Sequence, residues 1–211
     1  MPRAARKKSD ECMYHVMSRS ISEKDLFQCD EDKDYYLSLL KRYTEKYHCR
    51  VFAYILMDNH LHLYINSCGF DISTFMLSLN TAYVVYYNRR YQRHGHLFQG
   101  RFASTIVDND TYSLTLSAYI HNNANDLQDY ASKEELYRYS SYGIYTGIRN
   151  DTHGIVDTEF VLKHFSKDSN AARQKYRAFT ESMRETGIMK EVDDSIMRAY
   201  TENVYTSEKR H

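Results

Sequence analysis

Residues 57–65 read MDNHLHLYI, and this stretch decides the fold. Its second half alternates polar and apolar side chains, which is the period of a strand with one face on a core. Asp58 and Asn59 are turn-forming residues, and the β-rich residues 51–56 precede them. The pattern therefore predicts a β-hairpin whose strands cover 51–56 and 60–65.

The segments on either side of the hairpin also have strand and helix patterns. Short β-rich runs at 13–17 and 103–107 predict two further strands. Helical spacing of apolar residues predicts three helices, over 31–47, 72–91 and about 110–123. Asp110 is suited to cap the third of them. Strand, helix, two strands, helix, strand, helix is the order of an α+β domain and not of an alternating parallel α/β sheet.

The composition of the sequence changes after residue 126. Residues 136–145 are rich in Ser, Tyr and Gly and predict a loop. Helical patterns follow at 158–165, 171–185 and 193–204. We therefore expect a core domain over residues 1–130 and a helical C-terminal extension over residues 131–211.

The composition excludes several classes of protein. The 211 residues include 28 basic and 28 acidic ones, and the hydrophobic share of 42% is too high for wholesale disorder. There is no apolar run of about 18 residues to cross a membrane. The basic residues 1–12 have no apolar segment behind them, unlike a signal peptide. The four cysteines form no CxxC pair, so we expect reduced thiols in a cytosol and no zinc knuckle.

The zero net charge conceals a segregation of charges. Residues 72–107 contain no acidic residue. The arginines of this stretch and of the N-terminal tail are candidates for nucleic-acid binding: Arg3, Arg6, Arg89, Arg90, Arg93 and Arg101. Arginines interleaved with tyrosines suit such a surface, because guanidinium groups pair with phosphates and rings stack on bases. The alternative is a solvated face whose charge is balanced elsewhere.

Two histidines separated by one residue lie in the second strand of the hairpin. Because strand side chains alternate, His60, His62 and Tyr64 share one face, and neighbouring imidazoles can bind one divalent metal ion. The alternative is a pair of exposed strand histidines. A second such pair, His94 and His96, lies in a glycine-containing loop and is interpreted as a surface feature or a nucleic-acid contact.

The chain has 21 tyrosines, and two of them share a face of the third helix. Tyr112, Tyr119 and Asn123 are spaced so that they lie along one side of it. A tyrosine can act as a covalent nucleophile, and an amide oxygen one turn away could complete a metal site. The alternative is packing, since helix tyrosines usually pack and codon bias alone could enrich tyrosine.

Four segments carry a family resemblance, in the same order along the chain: YHVMSR at 14–19, MDNHLHLYI at 57–65, HLFQGRFAS at 96–104 and DTYSLTLSAYIHNNA at 110–124. Together they resemble the REP-associated tyrosine transposases, which belong to the single-tyrosine HUH transposases of bacterial insertion sequences. The stretch YRYSSYGIYTG at 137–147 resembles the extension of many members. The resemblance implies a ferredoxin-like antiparallel sheet with packed helices.

The resemblance also implies a site. It places a Mg²⁺ or Mn²⁺ ion on His60 and His62, with Asn123 as third ligand. It makes Tyr119 the nucleophile that cleaves single-stranded DNA beside a hairpin, leaving a 5′-phosphotyrosine and a free 3′-OH. The family's proline after the position of Asn123 is Ala124 here, so the third helix is expected to run on by a turn.

Several alternatives remain open from the sequence. A domesticated protein could bind hairpin or single-stranded DNA without cutting it, and Tyr112 is a rival nucleophile. Arg19, just past the first strand, is a further candidate for a phosphate contact. A monomer is favoured and a homodimer is possible. The resemblance implies a cytoplasmic, nucleoid-associated bacterial protein. For the C-terminal extension, our own hypothesis is that it contacts DNA or covers the active site.

Overall fold

A computed structural model of the protein describes residues 13–21, 25–184, 186 and 188–208. Four strands form one sheet: β1 (Met13–Arg19), β2 (Arg50–Leu56), β3 (His60–Asn66) and β4 (Ala103–Ile106). They lie in the order β2-β3-β1-β4, and every neighbouring pair is antiparallel. This strand order, with the chain order βαββαβ, is ferredoxin-like. The expected α+β fold and the hairpin that decides it are confirmed.

Three long helices cover the two faces of the sheet: α1 (Asp30–Tyr47), α2 (Ile72–Arg90) and α3 (Asp110–Asn122). Asn80 of α2 donates to the hydroxyl of Ser18 on β1 over 3.3 Å and accepts from Tyr36 of α1 over 3.2 Å. On the opposite face, the hydroxyl of Tyr64 on β3 lies 2.8 Å from that of Ser113 on α3. The sheet is therefore the middle layer, with α1 and α2 on one side and α3 on the other.

The alternation of β3 sorts its side chains between these two sides. Leu61 and Leu63 are fully buried on the side of α1 and α2, while His62 and Tyr64 are buried on the side of α3. In the antiparallel register His60 pairs with Arg19, and His62 with Met17. The strand thus delivers both histidines to the face under α3.

The ends of α3 differ in detail from the sequence expectation. Its N-cap is Asn109 and not Asp110: the Asn109 side chain accepts from the backbone N–H of Tyr112 over 2.8 Å. Asp110 is the first helical residue, where its negative charge interacts favourably with the positive end of the helix dipole. At the other end the chain continues beyond Asn122 as one turn of 3-10 helix, Asn123–Asp126. The expected further turn therefore occurs, in a tighter form.

The remaining elements lie after residue 130. They are a 3-10 turn at Glu134–Leu136 and the helices α4 (Tyr142–Tyr145), α5 (Glu159–Leu162), α6 (Ser169–Met183) and α7 (Ile188–Glu208). The loop expected over 136–145 is wrong for α4, because the fully buried rings of Tyr142 and Tyr145 hold a helical turn there. The backbone N–H of Ser141 donates to the carbonyl of Tyr54, so this segment covers the free edge of β2.

The last helix, α7, packs on the other edge of the sheet. Ile196 and Tyr200 of α7 form a small buried cluster with Met17 of β1 and Ala103 of β4. The side chain of Met17 points to the same face as His62, so α7 lies beside α3 on that face. Within the described part of the chain, no helix combines the length and the apolar character needed to cross a membrane.

Candidate active site

Four aromatic rings from three elements meet on the face of the sheet under α3. The ring of Tyr119 lies edge-on to His62, with centroids 5.5 Å apart, and edge-on to His15 at 5.7 Å. The rings of His60 and His62 are 5.2 Å apart and perpendicular. Strands β1 and β3 supply the histidines and α3 supplies the tyrosine, so the fold joins the predicted histidine pair to the predicted tyrosine.

The hydrogen bonds of the two β3 histidines use the same ring atom. Nδ1 of His62 lies 2.9 Å from Nε2 of His15, and Nδ1 of His60 lies 2.6 Å from the side-chain oxygen of Asn59. Each histidine therefore has Nε2 left for a metal ion. Neutral imidazole is a common metal ligand, and its second nitrogen is usually held by a neighbouring group.

Burial keeps these imidazoles neutral. Desolvation, together with the charge of Arg19, lowers the pKa of His60 to about 4, although the Asp193 carboxylate opposes the change. Desolvation lowers the pKa of His15 to about 3 and that of His62 well below its usual value. Near neutral pH each of these imidazoles thus keeps one unprotonated ring nitrogen and carries no positive charge.

Tyr119 is almost completely buried, and its hydroxyl donates a hydrogen bond of 2.9 Å to Oδ1 of Asp193 on α7. Desolvation raises the pKa of Tyr119 well above the usual value, and the Asp193 carboxylate raises it further. The nucleophile candidate is therefore held as a neutral phenol. Its hydroxyl is tied to the C-terminal extension.

Asn123 lies one turn beyond Tyr119, as its spacing predicts. Its amide nitrogen donates to the backbone carbonyl of Tyr119 over 2.7 Å, which leaves its side-chain oxygen as the possible ligand. Among the residues that the structure describes, His, Cys, Asp and Glu side chains form no group of three that could hold a metal ion. The third ligand that the resemblance implies, the amide oxygen of Asn123, stays a prediction. Two imidazoles with oxygen donors are a set that Mn²⁺ accepts.

The rival tyrosine occupies a different place. Tyr112 lies two turns earlier on α3, near its N-terminus, and its hydroxyl is 3.5 Å from that of Thr105 on β4. Its described contacts do not include His60 or His62. The geometry therefore sets Tyr119, and not Tyr112, beside the histidines.

Comparison with known proteins adds a family to this geometry. The family model described as "Transposase IS200 like" matches residues 8–123, which is more than half of the chain. The chain belongs to the IS200-like transposase family. No curated protein sequence matches it. The expected kinship with transposases of insertion sequences is thus confirmed.

A solved structure has a similar fold. It is described as a REP-associated tyrosine transposase bound to a REP hairpin, and the superposition has a TM-score of 0.56 with 11% sequence identity. The match covers 80% of the present chain and 93% of the chain in the solved structure. At such low identity the likeness shows a shared fold.

The arginines proposed for DNA binding lie in several places on the transposase. Arg19 is half-buried, pairs across the sheet with His60 and lowers its pKa, so it belongs to the site. Arg89 and Arg101 are exposed. Arg90 lies within ion-pair distance of the buried Asp32 and donates to the hydroxyl of Tyr86.

The structure describes three of the other predicted surface residues. Arg93 lies over the ring of Tyr87 at 5.5 Å. His94 and His96 are exposed in their loop. Arg3 and Arg6 lie outside the described residues.

Three residues of the transposase site were not predicted. His15 stands in the segment YHVMSR, where alternation along the strand could have placed it on the same face as His62 after pairing of β1 with β3. Asn59 was interpreted only as a turn residue. No sequence pattern pointed to Asp193, because the sequence of a helix does not reveal where that helix docks.

Proposed function

We propose that this transposase cleaves and rejoins single-stranded DNA beside a hairpin through a 5′-phosphotyrosine on Tyr119. The observation that carries the proposal is the edge-on contact of Tyr119 with His62, which sets a nucleophile beside two neutral imidazoles. A tyrosine that served only for packing would not need two imidazoles as neighbours. The chain assembles this site alone, which supports action as a monomer, and we propose action on DNA in the cytoplasm.

The chain's own residues account for most of the reaction. His60, His62 and Asn123 would hold a Mg²⁺ or Mn²⁺ ion, which when bound withdraws charge from a scissile-phosphate oxygen. Arg19, which pairs with His60 across the sheet, would bind the same phosphate. The Tyr119 oxygen forms a bond to phosphorus while the bond to the 3′-oxygen breaks, and the phenolic proton ends on that 3′-oxygen. Reversal of the step with another 3′-OH rejoins the strand without ATP.

The experiment is adduct formation with a labelled oligonucleotide. Single-stranded DNA containing a hairpin is incubated with Mn²⁺, and denaturing gels are scored for a covalent protein–DNA band. We expect the band with wild-type protein and with Tyr112→Phe, and its absence with Tyr119→Phe and strong loss with His60→Ala. A band that persists in Tyr119→Phe and vanishes in Tyr112→Phe assigns the nucleophile to the other tyrosine.

A second candidate is a DNA-binding protein that does not cut. The observation in its favour is the hydrogen bond from Tyr119 to Asp193, which occupies the nucleophile's hydroxyl and raises its pKa. Hairpin binding without any covalent band, in Mg²⁺ or in Mn²⁺, would support this function.

A further inference from the structure

Each of the two histidines of β3 contacts a neighbour to which the family resemblance assigns no role. Asn59 engages Nδ1 of His60, and His15 engages Nδ1 of His62. Neither neighbour lies in the nucleophile helix, and the reaction outlined above uses neither. Their shared feature is the ring atom that they contact.

The contact at His60 fixes the position of one proton. A side-chain amide oxygen can only accept a hydrogen bond, so Nδ1 of His60 is the donor at 2.6 Å and carries the proton. Nε2 of the same ring then has a free lone pair. That is the form of imidazole that binds a metal ion.

The contact at His62 joins two imidazoles, and one proton lies between them. If the proton belongs to Nδ1 of His62, then Nε2 of His62 is bare and can bind a metal ion. If it belongs to Nε2 of His15, then the proton of neutral His62 blocks Nε2. The direction of this hydrogen bond thus decides whether His62 can be a ligand.

Apart from the contact with His62, His15 has an unsatisfied ring nitrogen. It is fully buried, and among the described residues its Nδ1 has no hydrogen-bond partner. A buried histidine with an unsatisfied nitrogen is a poor choice for packing alone, since an apolar side chain would fill the space without that penalty. Its contribution therefore lies at the other nitrogen, which faces His62.

We propose that Asn59 and His15 are positioning residues that hold His60 and His62 with the proton on Nδ1 and present both Nε2 atoms to a divalent cation. This inference rests on the proposed function, because it concerns the same metal ion. It extends the site to β1 and to the hairpin turn.

The test measures Mn²⁺ binding to the whole protein without DNA, from the signal of free Mn²⁺ in electron paramagnetic resonance. We expect His15→Leu and Asn59→Ala to weaken binding about tenfold or more. Substitutions that keep an acceptor, His15→Gln and Asn59→Asp, should stay within about threefold of wild type, a small effect on this scale. Circular dichroism checks that each variant is folded.

A second readout keeps the proposal testable if His15→Leu does not fold. Nitrogen-15 NMR of the metal-free wild-type protein reports which ring nitrogen carries the proton. We expect Nδ1–H for both His60 and His62. This preference should persist at His62 in His15→Gln, which keeps an acceptor, and should be lost in a folded His15→Leu. A wild-type His62 with its proton on Nε2, or unchanged Mn²⁺ affinity in His15→Leu, overturns the inference. Unchanged affinity in His60→Ala would instead refute the metal site itself.

Discussion

The hydroxyl of Tyr119 donates a hydrogen bond of 2.9 Å to the carboxylate of Asp193, 74 residues further along the chain. This bond links α3 to α7, and the neighbouring contacts of α7 with β1 and β4 place the helix over the same face as the histidine pair. The extension therefore packs against the face of the sheet that carries the candidate site. The Asp193 carboxylate lies against the hydroxyl that we propose attacks a phosphate.

We predict that Asp193→Asn increases the rate of adduct formation. The substitution removes a negative charge that stabilises the neutral phenol and would repel a phosphate, so the pKa of Tyr119 falls towards the usual value. One pKa unit corresponds to about a tenfold larger phenolate fraction, and we expect a gain of about threefold to tenfold. The measurement is the initial rate of the covalent band in Mn²⁺.

Asp194→Asn is the matched control, because it removes the same charge from an adjacent exposed position on α7. It should leave the rate unchanged. If Asp193→Asn instead lowers the rate sharply, Asp193 is the proton acceptor in the reaction and does not act as a cover.

We predict that Arg19 contributes more to DNA binding than Arg90. Arg19 lies across the sheet from His60, whereas Arg90 contacts Asp32 and Tyr86 within the fold. In a Tyr119→Phe background, which prevents the adduct, Arg19→Gln should weaken single-stranded DNA binding. Loss of one phosphate contact lowers the slope of log affinity against log salt by about 0.7.

Fluorescence anisotropy at several salt concentrations measures both quantities. Arg90→Gln should leave the salt slope unchanged and lower the melting temperature, because Asp32 is fully buried and loses a cation. Equal slopes for wild type and Arg19→Gln would remove Arg19 from the interface.

The sheet could be predicted from the sequence because each of its signals is local. Alternation in residues 60–65 and turn residues at Asp58 and Asn59 fix a hairpin, and the order of elements limits the topology. The joint position of His60, His62 and Tyr119 follows from that topology and the family resemblance. These parts need no knowledge of distant contacts.

The rest depends on contacts that sequence periodicity does not encode. The segment around Tyr142 has the composition of a loop, yet burial of its rings against the sheet makes it helical. Asn109 and Asp110 are both good caps, and only the backbone geometry decides between them. Asp193 reaches Tyr119 through the docking of α7, which an amphipathic pattern does not specify.

We predict that His121 makes the fold sensitive to acid. It is fully buried between Ser141 and Tyr176, with contacts of 2.7 and 2.6 Å, and desolvation lowers its pKa to about 3. The unfolded chain binds a proton there below about pH 6.5, and the folded chain does not. Stability is therefore fully present above that pH and falls by about 1.4 kcal/mol per pH unit from this group as the pH drops towards 3.

Urea unfolding between pH 7 and 4.5 measures this contribution. His121→Gln lowers stability at pH 7 because its hydrogen bonds change. Its free energy of unfolding should then depend less steeply on pH than that of wild type, by about 1.4 kcal/mol per unit below pH 6. His94→Gln, at an exposed position, should keep the wild-type slope. Parallel curves for wild type and His121→Gln would show that His121 is protonated in the folded state.

The ion pair between Glu134 and Arg184 should stabilise the junction between the extension and α3. Glu134 is fully buried, and Arg184 donates to it over 2.6 Å and to the side chain of Asn122, at the end of α3, over 3.1 Å. Arg184→Leu leaves a carboxylate buried without its cation. We expect a loss of about 3 kcal/mol in the free energy of unfolding, measured in urea.

Two comparisons separate this effect from a general loss of charge. Arg177→Leu breaks pairs with Glu135 and Glu181 on an exposed arginine, so it should cost at most about 1 kcal/mol. Adding Glu134→Gln to Arg184→Leu should recover part of the loss, because a neutral amide is less costly to bury than an unpaired carboxylate. Equal losses in the two arginine variants, or no recovery in the double variant, would show that burial of Glu134 is not the cause. The stability of α3, and so the position of Tyr119, would then depend on packing alone.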